Sequence, residues 1–215
     1  MSRASLVGMT RRDGDPKPQR SAKWHDRRRI IIDTSASLFA RRGYHATGLA
    51  ELCTANELGR GALYHYIGSK EQLLVAIHDR VMDEVLASAD RVERTGGSAI
   101  HQLTMLGDEL LDIIGRYPDH VWVSLHEFYG LTGERERQYR KRRNDYEARV
   151  QAILQRGIDN GEFRDIDARL TSLAWLGMHN YTYRWMKTSG SHTAHEVATS
   201  FADIFIKGIA RPGKK

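Results

Sequence analysis

The chain has 215 residues, 40% of them hydrophobic, with one cysteine, ten histidines and a formal net charge of +6, which is enough apolar material for a small head and one larger packed domain. No apolar run approaches the roughly 18 residues of a membrane span, the arginine-dotted N-terminus lacks the hydrophobic stretch of a secretion signal, and lone Cys53 excludes an internal disulfide, so a cytoplasmic protein is expected. Residues 1–75 carry 13 Lys+Arg against 7 Asp+Glu while the remainder carries 20 of each, which places the whole positive excess in the first third and suits contact with a polyanion there.

Residues 1–22 contain Gly14, Pro16 and Pro18 among many charges and lack periodic apolar positions, so they are expected to form an unstructured basic arm. Its charge fits a phosphate-seeking extension or a solvated tail equally well. A helix should run from about Trp24 to Arg42 with Ile31, Ser35, Leu38 and Phe39 inward, and stop at Gly43. Leu49, Leu52 and Cys53 then fall at i, i+3 and i+4 on a helix of barely two turns, with Thr47 as its cap. Cys53 reads as packing on that inner face.

Asn56 and Glu57 break the pattern, Leu58 supplies an apolar plug, and a second short helix follows Gly59 with Ala62, Leu63, Tyr66 and Ile67 inward. Arg60, Gly61, Tyr64 and His65 are left facing out. An arginine and a histidine can donate to phosphates or base edges, a tyrosine adds a hydroxyl on a stiff ring, and Gly61 admits a close backbone approach. Two short helices in this relation form a helix-turn-helix whose second member enters a major groove. Gly68-Ser69 is a break and a cap, and Lys70 in the next first turn opposes the helix dipole, so an outside partner such as a DNA phosphate is expected to hold it.

The run G-R-G-A-L-Y-H-Y-I-G-S-K-E-Q-L-L, preceded by S-L-F-A-R-R-G-Y-H-A-T-G-L-A-E-L, resembles the DNA-binding domain of TetR family regulators over about residues 25–75, through Phe39, Gly43, Thr47, Gly61, Leu63, Tyr64 and Lys70 together. The resemblance implies an all-α homodimer on double-stranded operator DNA, with a recognition helix at about Arg60 to Tyr66 and a C-terminal domain that binds a small effector. In the division of labour that follows, Arg60, Tyr64 and His65 contact bases or nearby phosphates while Thr47, Gly61 and Lys70 set backbone contacts. Where the family carries Ala-Gly in the turn this chain has Asn56-Glu57. Asn56 is expected to take the left-handed conformation, since Glu would be strained there.

Beyond the head, helical periodicity predicts segments from Ser69 to Arg94, Ser98 to Arg116, Pro118 to Leu131, Glu134 to Asn160, Ala168 to Lys187 and His192 to Ala210. No stretch alternates with period two, so the fold is all-α. The expected organisation is a basic arm at 1–22, a three-helix head at 23–68 and a ligand-binding and dimerisation domain at 69–215. The last two helices carry large apolar residues on more than one face. Trp175, Tyr181, Trp185, Phe201, Ile204 and Phe205 are assigned to a four-helix bundle formed with a second copy, the arrangement by which TetR-like dimers form.

The segment from Leu176 to Trp185, with Asn180-Tyr181 where Asn-Trp is usual, is similar to one in TetR relatives that respond to acyl-coenzyme A esters of lipid or sterol catabolism. An acyl chain needs an apolar slot and its nucleotide needs cations. Trp122, His126, Tyr129, Arg143, Met178 and His179 are the assigned ligand contacts, although satisfied core histidines are the better reading of His126 and His179. The other basic residues of the helix through Arg140, Lys141 and Arg142 read as a solvated, ion-paired face. No cofactor, metal site or catalytic residue is expected: His192 and His195 share a face without a third ligand, and nucleophile-elbow, P-loop and dinucleotide patterns are absent. The reading is therefore a repressor released from a palindromic operator by a hydrophobic or acyl-coenzyme A effector. A ligand-independent activator or architectural protein and a thioester-processing enzyme are its rivals.

Overall fold

The computed structural model describes residues 20–187 and 189–211. The described residues form nine α-helices, with no strand beyond an isolated bridge between Phe163 and Ala210. Residues 1–19 of the expected arm lie outside that range. Its last two residues belong to the first helix, where the Ser21 hydroxyl accepts from the Trp24 amide and Ala22 opens the first turn.

Helix α1 (Ala22–Arg42) buries Ile31, Ile32, Ser35, Ala36, Leu38 and Phe39 and stops at Gly43, φ 85°. Helices α2 (Leu49–Ala55) and α3 (Arg60–Ile67) are too short to stand alone. Each is pinned by few side chains, α2 by Leu52 alone and α3 by Leu63 and Ile67. Helix α4 (Lys70–Thr95) belongs to two cores. Its first turns send Leu73, Leu74 and Ile77 into the head, and its later turns send Val81, Val85, Ala89 and Val92 into a second apolar cluster.

The second cluster is built around α5 (Ala99–Arg116), against which α4, α7 (Gly133–Asp159), α8 (Ala168–Asn180) and α9 (Ala194–Ile209) pack. The Glu162 carboxylate accepts from the Ala99 and Ile100 amides and so caps α5 from the turn between α7 and α8. Helix α9 packs chiefly on α5 and α8 on α7, so the last two helices are held by different partners and meet through His179 and Phe201, rings 5.6 Å apart. Two helices end earlier than their periodicity suggests. Helix α6 (Pro118–His126) gives way to a 3-10 turn at Phe128–Gly130, where the Glu127 carboxylate accepts from the Tyr44 amide and a side chain at Gly130 would lie 2.7 Å from the Tyr44 ring. Helix α8 ends at Asn180 because the Thr182 hydroxyl donates to the His179 carbonyl and tightens the next turn to 3-10.

The head core is completed by Val123, Leu131 and Tyr139 from the α6 and α7 segments. Head and body therefore share apolar contacts as well as a covalent helix. Among the described residues no helix is long and apolar enough to cross a membrane.

Candidate nucleic-acid interface and ligand cavity

Helix α3 presents Arg60, Gly61, Tyr64 and His65 to solvent, opposite the buried Leu63 and Ile67. A Cβ built at Gly61 meets nothing within 4 Å, so the protein's own packing does not call for glycine there. Ala62, expected inward, is exposed, and Tyr66 is half-buried against Trp24 in a stacked pair with ring centroids 5.6 Å apart. The start of α1 grips the end of α3: Arg28 Nε donates to the Tyr66 carbonyl at 3.2 Å, and Arg20 lies 3.9 Å over the Trp24 ring. Nothing in the spacing of the head motif signals this clamp, since it joins residues more than 30 positions apart.

Two head assignments change. Thr47 is wholly buried, its hydroxyl donating to the Gly43 carbonyl at 2.8 Å, and Gly48 is the cap of α2 with its amide bound by Glu51. Thr47 ties the loop to the end of α1 and presents nothing to a partner. Lys70 finds a seat within the chain, its ammonium 4.4 Å from the centre of the Tyr44 ring. Burial lowers its pKa, while Glu127 and Glu51 oppose that shift. The dipole conflict at the start of α4 is thus partly answered by an aromatic face.

The turn also departs from expectation. Asn56 is buried with φ −100°, and its side-chain amide donates to the Leu52 carbonyl at 2.9 Å and to Ser35 Oγ at 3.3 Å. Arg27 donates to the Asn56 carbonyl at 2.9 Å. Glu57 takes the left-handed conformation, φ 53°. The amide side chain is worth more as a buried clamp than as a left-handed residue, so the strain passes to its exposed neighbour.

In the body a cavity of about 580 Å³ lies between α4, α5, α6, α7 and α8. Its apolar wall comes from Val81, Met82 and Val85 of α4, Leu110, Ile113 and Ile114 of α5, Val121 and Leu125 of α6, and Leu176 of α8. Helix α7 supplies Glu136, Tyr139, Arg140, Arg143, Asn144, Tyr146 and Glu147, and Asn180 closes the α8 side. Glu136 is paired with Arg140, whereas Arg143 has no ion pair among the described residues and lies 5.8 Å from the Phe128 ring. The other arginines of α7 are largely tied to acids, Arg135 to Glu71, Arg137 to Glu134 and Arg142 to Asp79 and Asp83. The ion-paired face expected there is therefore present.

Of the six ligand contacts assigned from the sequence, Tyr129 and Arg143 line the cavity and four do not. Trp122 packs against the head core and stacks on His126, which is bound in turn to the Tyr183 hydroxyl at 3.2 Å. His179 is buried, its Nδ1 bonded to the Trp175 carbonyl at 2.8 Å and its ring packed over Gly107. Met178 is half-buried off the cavity wall. Helix α8 turns Leu176 and Asn180 toward the cavity and Ser172, Trp175 and His179 into the core. Trp175, assigned to the dimer face, is 2% exposed and belongs to the protomer's own core. Tyr181, Trp185 and Ile204 are exposed, and Phe201 and Phe205 are half-buried beside them.

One buried pair escaped the sequence. His78 of α4 approaches Ser124 of α6 with Nδ1 3.3 Å from Oγ, behind the cavity wall, and Tyr139 donates to the Ser124 carbonyl at 2.8 Å. Burial, assisted by the charge of Arg143, pushes the His78 pKa down to about 3. An imidazole that weakly basic cannot take a serine proton at neutral pH, so the pair is not an activated nucleophile.

A family model described as "Tetracyclin repressor-like, C-terminal domain" matches residues 96–209, and one described as "Bacterial regulatory proteins, tetR family" matches residues 31–77. The HTH-type transcriptional repressor KstR2 of Rhodococcus jostii (strain RHA1) is 27% identical over 193 residues, 86% of this chain and 92% of that protein. The TetR family transcriptional regulator PfmR from Thermus thermophilus has a similar structure, with a TM-score of 0.77 and 29% identity over 84% of this chain and 99% of that one. AibR, solved in complex with isovaleryl coenzyme A and operator DNA, gives a TM-score of 0.74 and 28% identity over 83% and 97% of the two chains. With one match falling on the helix-turn-helix and the other spanning more than half of the residues, the chain belongs to the TetR family of DNA-binding bacterial transcriptional regulators.

Proposed function

We propose that this regulator is a homodimeric repressor that holds a roughly palindromic operator through α3 and releases it when an acyl-coenzyme A thioester enters the body. The observation that carries the effector reading is the cavity of about 580 Å³, with an apolar wall from α4, α5 and α6 and a polar wall from α7 that includes Arg143, which has no ion pair among the described residues. Such a space suits an acyl group, at roughly 0.8 kcal/mol per buried CH2, while the larger nucleotide stays outside near Arg143. The names of the relatives point the same way: KstR2 is a repressor, and AibR was solved with a coenzyme A thioester and operator DNA. Exposed Tyr181, Trp185 and Ile204 supply apolar surface for the second copy, with half-buried Phe201 and Phe205 beneath. The separation into a head at 23–68 and a body from 69 onward is part of this reading.

Arg60, Tyr64 and His65 read bases or adjacent phosphates, and Gly61 lets the α3 backbone close on the DNA. The test is binding to the protein's own upstream DNA and to random DNA over a salt series, with and without a panel of acyl-coenzyme A compounds. Specific binding released about a hundredfold by one thioester class is expected, which is about 2.7 kcal/mol of coupling. Arg60→Ala should relax base preference. Specific binding indifferent to every thioester sinks the effector reading, and equal affinity for both DNAs sinks the operator reading. The buried, weakly basic His78 beside Ser124 argues against turnover, so the thioester should be recovered intact after release.

A further inference from the structure

A helix leaves its last carbonyls without helical partners, and on α3 those carbonyls belong to the turn that carries Tyr64 and His65. Each is claimed from elsewhere. The Tyr64 carbonyl accepts from the Gly68 amide at 2.8 Å and the Ile67 carbonyl from the Ser69 amide at 2.9 Å. The two between them go to arginines at the start of α1: the His65 carbonyl accepts from Arg20 at 3.4 Å and the Tyr66 carbonyl from Arg28 Nε at 3.2 Å. Of these two side chains Arg28 is the half-buried one, and Arg20 is exposed. The Tyr66 ring is held at the same place by its stack on Trp24. The first turn of α3, by contrast, is capped by Gly59 without a side-chain bond. Arg27 ties down the Asn56 carbonyl at the end of α2 in the same manner. Two adjacent arginines of α1 thus hold both members of the helix-turn-helix at their C-terminal ends, where a cation also suits the helix dipole.

We infer that Arg28 is a positioning residue for base readout: its hydrogen bond to the Tyr66 carbonyl sets the angle at which the last turn of α3, with Tyr64 and His65, meets the DNA. This rests on the operator reading above and adds a residue of α1 to it. A contact to a base edge depends on direction as well as distance, so a last turn free to tilt loses discrimination before it loses attraction to phosphates. Arg28 belongs to the basic excess of the first third of the chain, yet what α3 needs from it is an N–H at the Nε position rather than a charge. Glutamine carries its amide nitrogen the same number of bonds from Cα as arginine carries Nε. Arg28→Gln therefore keeps a donor there and removes the charge, whereas Arg28→Met keeps an unbranched stem and removes both.

The full-length wild type and both variants are titrated with the operator from the protein's own upstream DNA, with random DNA over a salt series, and with operators changed one base pair at a time. Base pairs read by the last turn are marked with Tyr64→Ala and His65→Ala, and those read by the first turn with Arg60→Ala. In Arg28→Met the preference for operator over random DNA should fall about tenfold, with the loss confined to the last-turn base pairs. Its affinity for random DNA should stay within about twofold of the wild type, with the salt slope unchanged. Arg28→Gln should keep the wild-type preference within about twofold. The inference is overturned by full preference in Arg28→Met, by a loss spread over all base pairs, or by equal loss in both variants. A salt slope smaller by about one, with every DNA weakened alike, overturns it as well and makes Arg28 a phosphate contact. So does a base preference indifferent to both last-turn variants, or an Arg28→Met protein that no longer melts cooperatively, which makes the residue a requirement of the fold. In each of these cases the wild type's preference for its operator leaves the operator reading standing. Absence of that preference in the wild type removes the operator reading and the inference with it.

Discussion

Glu57 holds the left-handed position of the helix-turn-helix corner, φ 53° and exposed, a conformation that costs a residue with a Cβ roughly 1–2 kcal/mol. Because its side chain makes no recorded hydrogen bond or ion pair among the described residues, Glu57→Gly should raise the unfolding free energy by about 0.5–1 kcal/mol, the strain relieved less the extra backbone entropy of glycine. Urea unfolding checks it, and an unchanged or lower midpoint would mean that the corner is not strained. The two short helices are legible from Leu49, Leu52, Leu63 and Ile67, whose spacing is a local property. The choice between Asn56 and Glu57 is not, because it depends on Ser35 and Arg27, more than 20 residues away in sequence. Thr47 escapes a sequence reading for the same kind of reason, its hydroxyl being claimed by the Gly43 carbonyl behind it.

Helix α6 has one face on the head and the other on the cavity. Asp119 accepts from Ser37 of α1, His120 Nε2 lies 3.1 Å from Asp33, Val123 enters the head core, and Val121, Ser124 and Leu125 line the cavity. Arg80 of α4 joins the same junction at 3.5 Å from Asp33. A displacement of α6 by an effector therefore reaches α1 directly, in addition to any movement of α4. Asp119→Ala removes a bond across this junction without touching the cavity. Effector affinity should stay within about twofold, while the release of operator at saturation should fall by about tenfold, or 1.4 kcal/mol of coupling. Calorimetric titration of the effector and operator titration at saturating effector separate the two quantities, and unchanged release would remove α6 from the path. Periodicity shows which residues share a helix face but not which neighbour that face meets. Without that information Trp175 and His179 fall on outer or ligand faces, although their i, i+4 spacing marks them correctly as one stripe. Tyr139 and Tyr146, the cavity's two buried phenols, go unnoticed because arginines and acids surround them in α7 and mask the apolar stripe they belong to.

Taken whole, the molecule stores several histidines in their neutral form, and its stability should record that. His78 is pushed down to about 3 by burial and by Arg143, His179 to about 4 by burial, with the Trp175 carbonyl opposing, and burial lowers His120 as well. In the unfolded chain each returns to about 6.5. Above that value neither state binds the proton and stability is flat in pH. Below it the unfolded chain takes up protons that the native protein refuses, so stability falls with acidification, by up to roughly 1.4 kcal/mol per pH unit per histidine, until the native pKa is reached. For His179 that window closes near pH 4 and for His78 near pH 3. Carboxylate titration dominates at the acid end, which leaves about pH 5 to 7 as the interval where histidines decide the slope. His78→Gln should be less stable than the wild type at pH 7, because the ring packed 4.3 Å from Tyr139 is lost. At pH 5 the variant escapes the penalty that His78 imposes, so the gap between the two should narrow by about 2 kcal/mol. Urea unfolding of both proteins at pH 7, 6 and 5, at one protein concentration so that dimer linkage is held fixed, measures the gap. A gap constant across the series would mean that His78 titrates alike in the native and unfolded states, and the buried neutral imidazole at the head–cavity junction would have to be given up.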